Sequence, residues 1–130
     1  MRFFLDNMIS PKFAHALQAV GKDVHALREK FPEETPDEVW IQEIGREGWV
    51  LLTVDRHIRT RPLERLALSK AGIISLFLGP FFLKGSFPLW EQFVWLVRHW
   101  SRIEATAGGL AKGTCMALVQ NGKMHPLPRA

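Results

Sequence analysis

Short, nearly continuous apolar runs alternate along this chain with segments that open on a helix-capping signal. Arg2-Phe3-Phe4-Leu5, Trp49 to Val54 and Ile73 to Leu78 are too short for ordinary helices and are bounded by polar or small residues. Such runs read as strands, and their apolar character on both faces suits a sheet covered on both sides. Asp23 to Leu27 can form one more short strand. Between the strands, Ser10-Pro11 starts a helix, with the hydroxyl as N-cap and proline at the first helical position. That helix is expected to reach about Val20, with Gly21 as its stop. Thr35-Pro36-Asp37-Glu38 opens a second helix: Thr35 as N-cap, Pro36 at the first position and Glu38 completing a capping box. Val39, Trp40 and Ile44 form its apolar face, and Gly45 or Gly48 closes it. A third helix spans Pro62 to about Ala71 and stops at Gly72. Strands alternating with helices predict right-handed βαβ units and a mainly parallel sheet.

The second half continues the pattern and then leaves it. Gly79 to Ser86 is an apolar loop carrying Phe81, Phe82 and Leu83, which suit either the core or a partner. Pro88 to about Glu104 is a periodic helix with Leu89, Phe93, Leu96 and Trp100 on one stripe. Its tryptophans are core or interface anchors. The last segment, about 114–128, reads as a β-hairpin around Asn121-Gly122, the strongest two-residue hairpin signal. Arg28 to Glu34 and Arg56 to Arg61 are charged connections.

At 130 residues the chain is expected to be a single domain over 1–130, large enough to bury its own core. Hydrophobic residues at 47% and charged residues at 23% place it among soluble globular proteins. A net charge of +4 fits a polyanionic partner. The single cysteine, Cys115, excludes an internal disulfide and suits a reducing, cytoplasmic setting. Asp6 interrupts the N-terminal apolar stretch, so no signal peptide is expected. The longest apolar run, Ile73 to Leu83, is broken by Ser75, Gly79 and Pro80 and is too short to span a membrane.

Two of the strands run into an aspartate: Leu5 into Asp6, and Val54 into Asp55. In an open α/β sheet, ligands bind outside the carboxyl ends of the strands. Either aspartate alone is also an ordinary turn former; the pair at parallel strand ends points to a site. Asp37 and Glu38 add acids at a helix start. The capping box accounts for Glu38, which leaves Asp37 as the better metal ligand and Glu38 as an acid that can fill in. Carboxylates gathered in this way suit hard divalent cations such as Mg²⁺ or Mn²⁺. Arg56, His57 and Arg59 directly follow Asp55. A solvated basic loop is the bland reading. The functional one has the arginines holding phosphates in bidentate contact, with Lys12 assisting and His57 facing phosphate.

The joint order of these segments resembles the PIN-like nuclease domains, particularly the small stand-alone type among toxins of prokaryotic toxin–antitoxin modules. The matching segments are Phe3-Phe4-Leu5-Asp6-Asn7, Thr35 to Ile41, Val54 to Arg59, Leu89-Trp90-Glu91-Gln92 and Asn121-Gly122-Lys123. The resemblance implies a three-layer α/β fold, a mainly parallel central sheet flanked by helices, plus the C-terminal hairpin. It also implies a Mg²⁺- or Mn²⁺-dependent ribonuclease with Asp6, Asp37 and Asp55 as catalytic and metal-binding acids. RNA would be the substrate and an antitoxin protein the partner, masking the basic cleft. A homodimer is compatible with the sequence, and no membrane partner is expected. One departure stands out: PIN nucleases often carry a fourth acid, and Ile73 to Gly85 contains none. Glu91 or Glu38 would have to replace it.

The rival is a PIN-like module that binds nucleic acid or protein without cleaving. A third reading, a receiver-like domain with Asp55 as phosphoacceptor, has Lys84 in its favour. Against it, Asp6-Asn7 offers one acid where receivers carry a pair.

Overall fold

The computed structural model describes residues 1–54 and 62–127. Six strands form one sheet: β1 (Phe3–Leu5), β2 (Val24–Ala26), β3 (Val50–Thr53), β4 (Ile74–Leu78), β5 (Cys115–Leu118) and β6 (Met124–Pro126). Their order is β2-β1-β3-β4-β5-β6. The first five are parallel, and only β6 pairs antiparallel, with β5. The helices are α1 (Pro11–Ala19), α2 (Leu27–Lys30), α3 (Asp37–Glu47), α4 (Pro62–Lys70) and α5 (Leu89–Gly108).

The sheet separates two cores. Phe3 and Leu5 point to one face, with Leu52, Leu76 and Leu78, and pack on Phe13 and Leu17 of α1 and Leu96 and Trp100 of α5. Phe4 points to the other, with Leu51 and Phe77, against Trp40 and Ile44 of α3 and Leu68 of α4. This alternation along a parallel strand buried on both faces explains the unbroken apolar runs. Each such side chain contributes about 1.5–3 kcal/mol on burial.

Several expected signals act as anticipated. The Ser10 hydroxyl accepts from the Lys12 amide at 3.3 Å, with proline next in line. Gly48 ends α3 at φ +74°, and Gly72 follows α4 at φ +79°. Gly45 does not close α3; it lies inside the helix, where a Cβ would run into the Ala71 backbone.

Other expectations are corrected. The connection after β2 contains a single helical turn, α2, too short to show a periodicity in sequence. The apolar face of α3 is Trp40, Ile41 and Ile44, while Val39 is half exposed. On α5, Leu89 and Trp90 face solvent, and the buried line runs through Trp95, Leu96, Trp100, Ile103 and Ala107. The apolar loop is a 3₁₀ turn, Pro80–Leu83, with Phe82 fully buried and Phe81 packed 5.2 Å from Trp95. The hairpin loop is three residues, Gln120 to Gly122, not two. Gly122 N donates to Val119 O at 2.9 Å, and Val119 N to Lys123 O at 3.1 Å. Only Gly122 has positive φ (+86°), whereas a two-residue Asn-Gly turn needs it at both central residues.

Candidate metal centre

Strands β1 and β3 are neighbours, yet β2 lies on the far side of β1. The chain therefore reverses its winding between β1 and β3, where a doubly wound sheet opens its ligand crevice. Asp6 is the first residue past β1. Its amide continues the ladder to Leu52 O at 3.0 Å, which sets Asp6 beside Thr53. The Thr53 hydroxyl, fully buried, donates to Asp6 Oδ2 at 2.5 Å, and the Asn7 amide donates to Asp6 Oδ1 at 2.5 Å. Short hydrogen bonds to a carboxylate are the strong, charge-assisted kind. They lock the orientation of the Asp6 side chain.

The turn after Asp6 carries two more polar groups. Asn7 Oδ1 is buried and has no hydrogen-bond partner among the described residues. Leaving such an oxygen unmade costs about 1–3 kcal/mol, so the position suits an additional electropositive group. Arg28, from α2, donates through Nη2 to the Asn7 carbonyl at 3.1 Å and brings a cation to this edge.

Asp37 is the first residue of α3 and is exposed; its Oδ1 accepts from Trp40 Nε1 at 3.0 Å. Helix α3 leads through Gly48 into the start of β3, so its first turn lies toward the carboxyl edge, where Asp6 sits. The expected capping box is absent. Pro36 is the N-cap and no side chain caps the helix. Thr35 is instead tied into the preceding turn, its amide donating to Pro32 O at 2.9 Å. With Pro36 as cap, Glu38 falls at the second helical position, one short of a box, and is exposed.

Lys12 is exposed in the first turn of α1. Asp55, Arg56, His57 and Arg59 lie outside the described residues. Among the described residues, no three acids, histidines or cysteines stand close enough together to hold a metal ion. Thr53, Asn7 and Arg28 were not picked out as site residues from sequence. For Thr53 a signal existed: a hydroxyl in an otherwise apolar strand, two residues before Asp55.

Residues 1–80, well over half of the chain, match the family described as PIN like domain. The chain belongs to the PIN like domain family. No curated protein and no solved structure matches it. The matched segment takes in β1 to β4 and the described candidate acids Asp6, Asp37 and Glu38. PIN-like domains are nuclease-type folds and generally hydrolases, and the mostly parallel sheet with helices on both faces is consistent with that fold. Among the described residues, no helix is long and apolar enough to cross a membrane.

Proposed function

We propose that this PIN-like domain is a Mg²⁺- or Mn²⁺-dependent endoribonuclease, and that it is the toxin of a toxin–antitoxin module working in the cytoplasm. The observation that carries the reading is Asp6. Its carboxylate is oriented by Thr53 and by the Asn7 amide at the reversal point of the sheet, with the unpartnered Asn7 Oδ1 beside it. Oxygen donors of this kind fit a hard divalent cation.

Asp6, Asp37 and Asp55 would hold the ion, with Glu38 and Asn7 Oδ1 as further oxygen donors. When bound, the ion supplies Lewis acidity and an activated water for in-line attack on a phosphodiester. The protein's own contribution is positional. Thr53 keeps the Asp6 lone pairs turned to the site. Arg56, Arg59, Lys12 and His57 bind the RNA through its phosphates, independent of sequence. An antitoxin would cover these cations.

The second reading, a binding module without cleavage, is favoured by the acid-free stretch from Ile73 to Gly85. One experiment separates them: cleavage of a labelled single-stranded RNA with Mn²⁺ or with chelator, for wild type, Asp6→Asn and Asp55→Asn. The nuclease reading expects metal-dependent cleavage lost in both variants. Unchanged cleavage in Asp55→Asn would end it. RNA binding without cleavage by wild type would establish the module.

A further inference from the structure

A concave site lies at the edge of the sheet opposite Asp6. A cavity of about 490 Å³ opens between the C-terminal half of α4 and the start of β5 and end of β6. Asp6 follows the last residue of β1, whereas Cys115 is the first of β5, and these strands run parallel. The cavity thus belongs to the amino edge, away from the candidate metal centre.

Its lining is divided by chemistry. Arg65 from α4 and Lys112 from the loop before β5 supply two cations, and no described lining residue is acidic. Leu66 and Leu127 supply an apolar wall. The loop that carries Lys112 is clamped to the helix. Ser69 Oγ donates to Gly113 O at 2.7 Å, and Thr114 Oγ1 donates to Ala111 O at 2.6 Å. Gly113 has φ +83°, and a Cβ there would stand 2.7 Å from Ser69 O. With both hydroxyl protons spent on the clamp, charge on a ligand is left to the two cations. The floor is the Cys115 thiol, which burial keeps protonated above its ordinary range, against weaker opposing effects of Ser69, Arg65 and Ser75. The fully buried Ser75 hydroxyl, in register with Cys115, makes no conventional hydrogen bond among the described residues and has the weakly accepting Cys115 sulfur beside it.

We propose that this cavity binds a small phosphate monoester with an apolar or aromatic body, of the size of a mononucleotide, its phosphate on Arg65 and Lys112 and its body against Leu66 and Leu127. A bare phosphate, the size of only a few waters of about 30 Å³ each, would leave most of the space wet. The volume instead falls among ordinary small-molecule sites, which pair an apolar lining with a few placed polar groups. Arginine with lysine is a suitable phosphate-binding pair. This site does not depend on the nuclease reading.

Cys115 is the only cysteine, so it reports on the cavity directly. The experiment is the rate of its modification by a maleimide at mildly alkaline pH, followed by intact mass. Chelator is present throughout, so that no phosphate is held through a metal at Asp6. The added probes are AMP, inorganic phosphate and adenosine. AMP at millimolar concentration is expected to slow modification saturably, and more than either phosphate or adenosine at equal concentration. Lys112→Ala, a change at an exposed side chain, should keep the melting temperature and the unprotected rate while raising the AMP concentration for half-protection about tenfold. No protection by AMP, or equal protection in Lys112→Ala, would overturn the site. Phosphate acting as well as AMP would overturn the place assigned to the apolar body. Adenosine acting as well would overturn the place assigned to the phosphate.

Discussion

The Thr53 hydroxyl donates to Asp6 Oδ2 at 2.5 Å between the neighbouring strands β1 and β3, where the winding of the sheet reverses. Thr53 is the last residue of β3 and fully buried, so its donor is presented by the sheet and not by a loop. A partner behind a candidate ligand sets which lone pairs remain for a metal. Thr53→Val keeps the shape and removes the donor. It should cost about 1–3 kcal/mol for the charge-assisted hydrogen bond that is lost. Metal affinity or cleavage should fall about 10–100-fold, as it does when a supporting partner is lost. Chemical unfolding, Mn²⁺ titration and RNA cleavage of the variant check both halves.

Asp37 and Glu38 should separate by role. Neither side chain caps α3, so Glu38→Gln is expected to leave the melting temperature near wild type; its amide keeps an oxygen for the auxiliary donor role, so cleavage should stay near wild type too. Asp37→Asn keeps an oxygen to accept from Trp40 and should also fold normally. Its cleavage should fall by at least the roughly 10–100-fold that loss of a mere supporting partner costs. If Glu38→Gln were the inactive protein, the ligand assignment at this helix start would have to move by one residue.

Gly45 should resist substitution although alanine is the better helix former. The gain in propensity, about 1 kcal/mol, is opposed by a Cβ that meets the Ala71 backbone and approaches Ala71 Cβ to 2.8 Å. Neither helix can shift without disturbing the core around Ile44 and Leu68. Overpacking of this kind costs about 1–3 kcal/mol. Gly45→Ala is therefore expected to be neutral to clearly destabilising in thermal unfolding, and a stabilised variant would contradict the packing described.

His99 should make stability fall on mild acidification. Burial holds its pKa below the ordinary value, and Arg102 and Arg98 add to the effect. The ring lies 4.7 Å from that of Trp95 and closes over Gly122. Between the ordinary histidine value of about 6.5 and the lower folded value, the unfolded chain takes a proton that the folded one resists. Stability from this group is complete above that window and is lost as pH falls through it. Melting temperatures of wild type and His99→Gln, compared across mildly acidic to neutral pH, should show a smaller loss on acidification in the variant. Parallel curves would remove His99 from the account.

Local signals were legible in the sequence wherever one or two residues suffice to dictate a backbone shape. Ser10-Pro11 started α1, the glycines at 48 and 72 took positive φ, and the unbroken apolar runs became strands covered on both faces. Where the outcome depended on one residue of register, sequence was less sure. The N-cap of α3 moved from Thr35 to Pro36 because a turn closed on Pro32, and with it Glu38 lost its box and Ile41, not Val39, joined the core.

By itself, the sequence determined the strand–helix alternation, the acids at its strand ends and the basic run after Asp55, because these follow from local propensity and charge. Only the tertiary structure decided that β1 pairs with β3, that Thr53 therefore orients Asp6, and that Arg65 and Lys112 share a cavity with Cys115. Those relations bring together segments some 40 or more positions apart: β1 with β3, and the Arg65 helix with the Lys112–Cys115 segment. They are set by which strands and helices bury their apolar faces together, a non-local choice that no short window of sequence contains.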